Sequence, residues 1–263
     1  MQCSVLTTEQ VQSIHRVSLE ILERVGVVIP HPDMLSRLAE RGARVDRTAE
    51  RVYMPAELVE WALRVSGKQF TLYGRDTTRT ARFGQGTRNY NSTAGQASWI
   101  DRPGGERRYP TLADVTAAAR LGDALDHVNI VGAMADPHEL PVSWRCVAVA
   151  AELIRHTTKP VMFWFHDRAS ARFLVEMLIA LRGSERAAAD EPLCYPLLEP
   201  ISPLRFPVHG IDLLYETSRL RMPVAIGPMA QMGMSAPATM AGTMAQQNAE
   251  ILAGLVVTQC VCE

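Results

Sequence analysis

A chain of 263 residues, 47% hydrophobic and 21% charged, is long enough to bury a large core and has the balance of an ordinary globular protein. Its formal net charge of -1, with no block of like charge, excludes the basic face that nucleic-acid binding needs. Apolar runs such as VMFWF fall far short of the roughly 20 residues that cross a bilayer, so no membrane partner is expected.

The opening MQCSVLTTEQ has neither a basic nor an apolar leader region, and the expectation is a cytoplasmic protein without a secretory signal. Thr7-x-x-Gln10 reads as a capping box for a helix whose apolar positions, Val11, Ile14, Val17, Ile21, Leu22 and Val25, run to Gly26. Pro32 to Arg41 and Pro55 to Ser66 read as two shorter helices, each with Pro near its start and Gly just past its end. From Phe70 to Tyr109 the pattern turns to short β-type pieces, FTLYG, ARFG, RNYN and ASWI. Within them, GQGTRNYNSTAGQ lacks the spacing and lysine of a phosphate loop and is expected to be a mobile or substrate-covering loop.

Thr111 is placed to cap a helix running to Leu125, with Asp114 in its first turn. A regular alternation follows. Strands are expected at Val128–Met134, Val161–Phe165, Leu193–Leu198 and Val224–Ile226, their starts marked by His127, Pro160, Pro192 and Pro223 at spacings of 33, 32 and 31 residues. Helices are expected between them at Val142–His156, Ala169–Leu181 and Ile211–Leu220, and after them from Ala236 towards Cys262. This is the rhythm of successive βαβ units with a covered parallel sheet, hence an α/β fold. An open doubly wound sheet and a partial (β/α)8 TIM barrel of about four βα units both satisfy it. The partial barrel is preferred, with residues 1–110 as a helical and β-hairpin appendage and 111–263 as the first half of the barrel.

In either form, ligands gather at the carboxyl ends of parallel strands. That rule selects Met134 to His138, His166-Asp167, Glu199 to Pro203, and Gly227 to Met229 with Gln231. His166, after the aromatic run Phe163-Trp164-Phe165, and Glu199, at the end of the apolar run YPLLE, are the candidate catalytic groups. Glu199 reads either as a rim carboxylate paired with Arg205 or as the charge complement of a cationic substrate. Asp167 reads as a helix cap. Tyr90, Trp99 and Trp164 are candidate walls of a cation box, with Tyr90 and Trp164 joined by Ser202, Met229 and Gln231 as substrate-binding candidates. The methionines at 229, 232, 234, 240 and 244 read as core or gap-filling residues. Cys3, Cys146, Cys194, Cys260 and Cys262 have no zinc spacing; they read as reduced thiols, mostly core, and no metal site is expected.

Longer blocks carry a resemblance. TTEQVQSIHRVSLEILERVGV, RGARVDRTAERVYMPAELVEWAL, FTLYGRD, GGERRYPTLADVTAAARLGDAL, HTTKPVMF, EPISPLRF and SAPATMAGTMAQQNAEILAGL together resemble the trimethylamine methyltransferase family, the cobalamin-dependent methylamine and quaternary-amine methyltransferases. The resemblance implies a (β/α)8 barrel behind an N-terminal appendage, a small methylated amine as substrate, and methyl transfer to the Co(I) of a separate corrinoid protein. The corrinoid (cobalamin) would thus be carried by that partner and not bound directly. It places Ser202-Pro203-Leu204 in the family's strand-end SPL motif, where Glu199 departs from the asparagine expected at its start. Family members are longer, so the chain is expected to be truncated, with a dimer of half-barrels as the homo-oligomeric alternative. A non-catalytic half-barrel binding module and an inactive gene fragment are the competing functional readings.

Overall fold

The computed structural model describes residues 5–262; Cys3 lies outside the described residues. In chain order the elements are α1 (Thr8–Arg24), β1 (Val27–Val28), α2 (Pro32–Glu40), β2 (Arg44–Asp46), β3 (Arg51–Tyr53), α3 (Ala56–Val65), β4 (Phe70–Tyr73) and β5 (Thr80–Phe83). There follow α4 (Leu112–Ala124), β6 (Val131–Gly132), α5 (Val142–His156), β7 (Val161–Met162), α6 (Arg168–Arg182), α7 (Glu185–Asp190), β8 (Leu197–Leu198), α8 (Val208–Thr217), β9 (Ala225–Ile226) and α9 (Met240–Cys262). Helix and parallel strand alternate from α4 onward, so the α/β class holds.

Two compact units are formed, one from Met1–Ser66, Leu197–Leu214 and Val224–Glu263, the other from Gly67–Pro196 and Tyr215–Pro223. The first is built around α9, against which α1, α2 and α3 pack. Ala245, Ala249, Leu252, Ala253, Val256, Val257 and Cys260 are all buried, so α9 is covered on more than one face and its small side chains let neighbouring helices approach closely. Ser18 ties α1 to it, donating from Oγ to the Ala245 carbonyl at 2.9 Å and accepting from Asn248 Nδ2 at 2.9 Å. α1 starts as the sequence predicts: Gln10 N donates to Thr7 Oγ1 at 3.2 Å while Thr7 N donates to Gln10 Oε1 at 2.9 Å. A three-stranded antiparallel sheet of order β1-β3-β2 and the parallel pair β8–β9 complete this unit. Gly254 of α9 lies against Ile226 of β9, where a Cβ would come within 2.8 Å of its methyl group.

In the second unit β4 and β5 form an antiparallel hairpin whose inner residues Leu72 and Ala81 pack with Ile130. Phe70 stacks on Phe83 at 4.5 Å between ring centroids. β6 and β7 pair in parallel, Val131 opposite Val161 and Gly132 opposite Met162. The free side of β6 is covered by the glycine-rich segment expected to be a mobile or substrate-covering loop. Ser92 N donates to the Ile130 carbonyl at 3.2 Å, Gly132 N to Ser92 Oγ at 2.6 Å, Met134 N to the Thr93 carbonyl at 3.0 Å and Asp136 N to the Gln96 carbonyl at 2.9 Å. Residues 91–96 therefore run beside β6 as an irregular edge strand. The sequence misleads here because Gly and Asn mark loops, whereas an unpaired strand edge accepts any backbone that can come close enough.

The predicted strands are found but shortened, Val128–Met134 to two ladder residues and Leu193–Leu198 to its last two. Met134, at the end of the first of these, has φ 56° and so departs from extended backbone. α7 and the β1-β3-β2 sheet were not predicted, their segments being too short to show a period. Among the described residues no helix is long and apolar enough to cross a membrane.

Candidate functional site

The family-like blocks of the second unit prove to be capping devices. Arg108 donates to both Asp101 oxygens at 2.9 and 2.7 Å and to both Asp114 oxygens at 2.7 and 2.8 Å. Asp114 also accepts from Thr111 N at 2.8 Å, closing the start of α4. The Arg108 guanidinium holds the Asp114 carboxyl well below the usual carboxylate range, against a smaller opposing effect of burial. At the other end of α4, Asp123 accepts from Thr157 Oγ1 at 2.8 Å and from Thr158 N at 2.6 Å. The buried Lys159 donates to the carbonyls of Gly122 and Leu125 at 2.9 and 2.7 Å. The charge of Lys159 thus satisfies the orphan carbonyls at the helix end.

The expected strand-end chemistry lies in two groups, one in each unit. In the second unit, beyond β6 and β7, Asp136 accepts from Arg145 Nη1 at 2.9 Å, and Arg145, only 9% exposed, also donates to the Leu140 carbonyl. Asp167 caps α6 as predicted, accepting from Ser170 N at 2.7 Å. His166 Nδ1 is buried without a hydrogen-bond partner. The neighbouring Cys146 thiol raises the imidazole above its ordinary pKa, with burial opposing. Burial pushes the Cys146 thiol up, but the His166 and Ser170 side chains outweigh it and leave the thiol below its ordinary value. Cys146 and His166 line, with Trp164 and Asp136, a cavity of about 10 Å³, which is room for a single water.

The candidate walls of the cation box stand at different places in the second unit. Tyr90, 57% exposed, bonds through its backbone to Asn129 and Ile130 at the amino end of β6, whereas Trp164 follows the carboxyl end of β7 against Gly95. Among the described residues Tyr90, Trp99 and Trp164 make no ring contact with one another. Trp99 instead sits in a turn closed by its backbone pair with Arg108.

In the first unit, Leu197 and Leu198 pair with Ala225 and Ile226, and Gly227 N donates to the Leu198 carbonyl at 3.0 Å. Glu199 and Gly227 are therefore neighbours at the carboxyl end of the pair. Glu199 is half-buried and makes no ion pair or hydrogen bond among the described residues; Arg205 does not partner it. Burial raises its carboxyl above the ordinary carboxylate value. Ser202 donates from Oγ to Glu250 at 2.7 Å. Gln231 lies in the loop after β9, its backbone N donating to Ser235 Oγ at 3.0 Å. Met229, Met232, Met234 and Met240 are 70%, 55%, 77% and 70% exposed. The expectation that they fill the core is therefore wrong for these four: they belong to an extended loop and the first residue of α9, where no neighbouring element covers them.

Two contributors were not singled out from the sequence. Glu250 is fully buried in α9, and Gln246 one turn before it is 7% exposed. The available signal is a glutamate inside AEILAGLVV, a stretch with no polar face for it to occupy. Cys146, Cys194 and Cys260 are buried free thiols, and Cys262 is exposed. Among the described residues no group of three His, Cys, Asp or Glu could hold a metal. A groove of about 290 Å³ lined by Arg172, Phe173, Glu176 and Arg219 contains none of the expected site residues.

An α/β protein with polar groups at its parallel strand ends is the class defined by fold and site. The family model described as trimethylamine methyltransferase (MTTB) matches residues 1–263, and the chain belongs to that family. A glycine betaine methyltransferase of Desulfitobacterium hafniense (strain Y51) is 28% identical over 98% of this chain and 53% of its own length. The trimethylamine methyltransferase MttB of Desulfitobacterium hafniense (strain DSM 10664 / DCB-2) is 29% identical over 95% of this chain and 51% of its own. That of Methanosarcina thermophila is 27% identical over 98% and 55%. The chain spans about half the length of the curated relatives it matches.

Proposed function

We propose that the chain serves methyl transfer from a small N-methylated amine to the Co(I) of a corrinoid carried by a separate protein, and that Glu199 faces the cationic head of the substrate. The observation that carries this reading is a half-buried carboxylate at a parallel strand end with no cationic partner among the described residues. Left in that state the charge is poorly solvated; a methylated ammonium brought beside it would restore a counter-charge without demanding a hydrogen-bond donor.

In such a transfer the methyl group leaves nitrogen without its bonding electrons, and Co(I) supplies the pair for the new bond. A quaternary ammonium departs as a neutral tertiary amine and needs no proton. The work left for the chain is to hold the N–CH3 bond in line and keep water away. Glu199 would orient the head group, and Met229, Ser202 and Gln231 belong to the loops around it. Tyr90 and Trp164 belong to the second unit and are kept as substrate-binding candidates there. His166 is assigned acid–base work at the β7 end, its proton affinity raised by Cys146. The same reading takes residues 111–263 as part of a (β/α)8 barrel.

The test is transfer of methyl from tetramethylammonium, glycine betaine and trimethylamine to a reduced corrinoid protein in the presence of this chain. Transfer from at least one, weakened in Glu199→Gln, is the expected result. Amine binding without transfer would favour a half-barrel binding module instead.

A further inference from the structure

We propose that Glu250 and Gln246 of α9 are positioning residues that fasten both loops of the amine-binding mouth. Glu250 is 0% exposed and accepts three hydrogen bonds: from Ser202 Oγ at 2.7 Å, Leu204 N at 2.9 Å and Gln246 Nε2 at 3.2 Å. Two of these come from the loop that carries Glu199. Gln246 passes the connection on, its Nε2 also donating to the Ser235 carbonyl at 2.9 Å in the loop that carries Met229 and Gln231. One turn of one helix thus holds both strand-end loops.

The loops are shaped to be held at these points. Ile201 and Arg205 exchange backbone hydrogen bonds at 2.7 and 3.2 Å, and Leu204 inside that turn has φ 53°, a left-handed conformation that a branched side chain adopts only where its surroundings impose it. In the second loop the Gln231 carbonyl accepts from Met234, Ser235 and Ala236 at 3.0 Å each, so its base is closed and its position is set by Gln246. A buried carboxylate is a costly way to join a helix to a loop when apolar packing would serve. What it adds is direction: two acceptor oxygens fix the Ser202 hydroxyl and the Leu204 amide at once.

The inference rests on the reading that Glu199 binds an amine, and the experiment separates the two. Hydrogen exchange over residues 200–206, with no amine present, is compared for the wild-type chain, Glu250→Gln, Glu250→Leu and Ser202→Ala. Local opening is expected to rise about tenfold in Glu250→Leu and roughly threefold in Ser202→Ala, which loses only one bond, and to stay near wild type in Glu250→Gln, which keeps an acceptor for Leu204 N. Titration with tetramethylammonium should then show a Kd raised about fivefold in Glu250→Leu and restored in Glu250→Gln. Unchanged exchange in Glu250→Leu overturns the proposal, as does faster exchange spread evenly over the whole chain. If Glu250→Leu does not fold, Ser202→Ala decides in the same way. A wild-type chain that binds no amine defeats the functional reading, while the exchange comparison still decides the clamp.

Discussion

Gly132 lies directly under the backbone of Thr93, so close that a Cβ on it would collide with the Thr93 carbonyl oxygen and come within 2.6 Å of that of Ser92. The contact lets residues 91–96 cover the edge of β6. Gly132→Ala should therefore push this cover away at a cost of about 1–3 kcal/mol, read as a lowered denaturant midpoint. The same substitution at Gly67, where a Cβ would meet nothing within 4 Å and the backbone has no positive φ, is the comparison without a steric cost.

Lys159 joins α4 to the start of β7 through two carbonyls. Replacing it by methionine keeps most of its volume but leaves the Gly122 and Leu125 carbonyls without their donor. The expected loss is about 1–3 kcal/mol of unfolding free energy by denaturant titration. An unchanged midpoint would mean that water replaces the ammonium.

Asp114 gives the fold an acid sensitivity with a definite sign. Arg108 depresses its carboxyl, so its contribution is present above the ordinary carboxylate pKa and is lost as pH falls through that value towards the depressed one. Asp114→Ala should cost about 1–2 kcal/mol at neutral pH and flatten the acid limb of the stability profile. Thermal melts of both proteins across the acid range check this.

The helices were legible because their signals are local. Thr7 with Gln10, Asp167 before Ser170, and Pro–Gly bracketing of α2 all act within one turn of chain, and the structure finds each element close to its expected bounds. Strand positions were legible from their spacing, but strand lengths were not, since only a neighbour decides how many residues join a ladder. For the same reason the pairing of 91–96 with β6 is not legible: nothing in GQGTRNYNSTAGQ tells that β6 has a free edge to fill. Glu199 was found by its misfit in an apolar run. Glu250 carries the same misfit, yet its partners lie 46 and 48 residues away, a separation that no local pattern encodes. The exposed methionines show the converse, apolar residues whose covering depends on the fold around them.

Titration of tetramethylammonium into the wild-type chain and Glu199→Gln across the acid-to-neutral range is the most direct measurement of the central claim, because this cation keeps its charge at every pH. Burial raises the Glu199 carboxyl, so ionising it lowers stability as pH rises through the raised value, and a bound cation reverses that by favouring the ionised form. The account predicts wild-type affinity that rises with pH across this window, and Glu199→Gln affinity that is about tenfold weaker and flat with pH. Equal affinities in the two proteins, or wild-type affinity independent of pH, would contradict it.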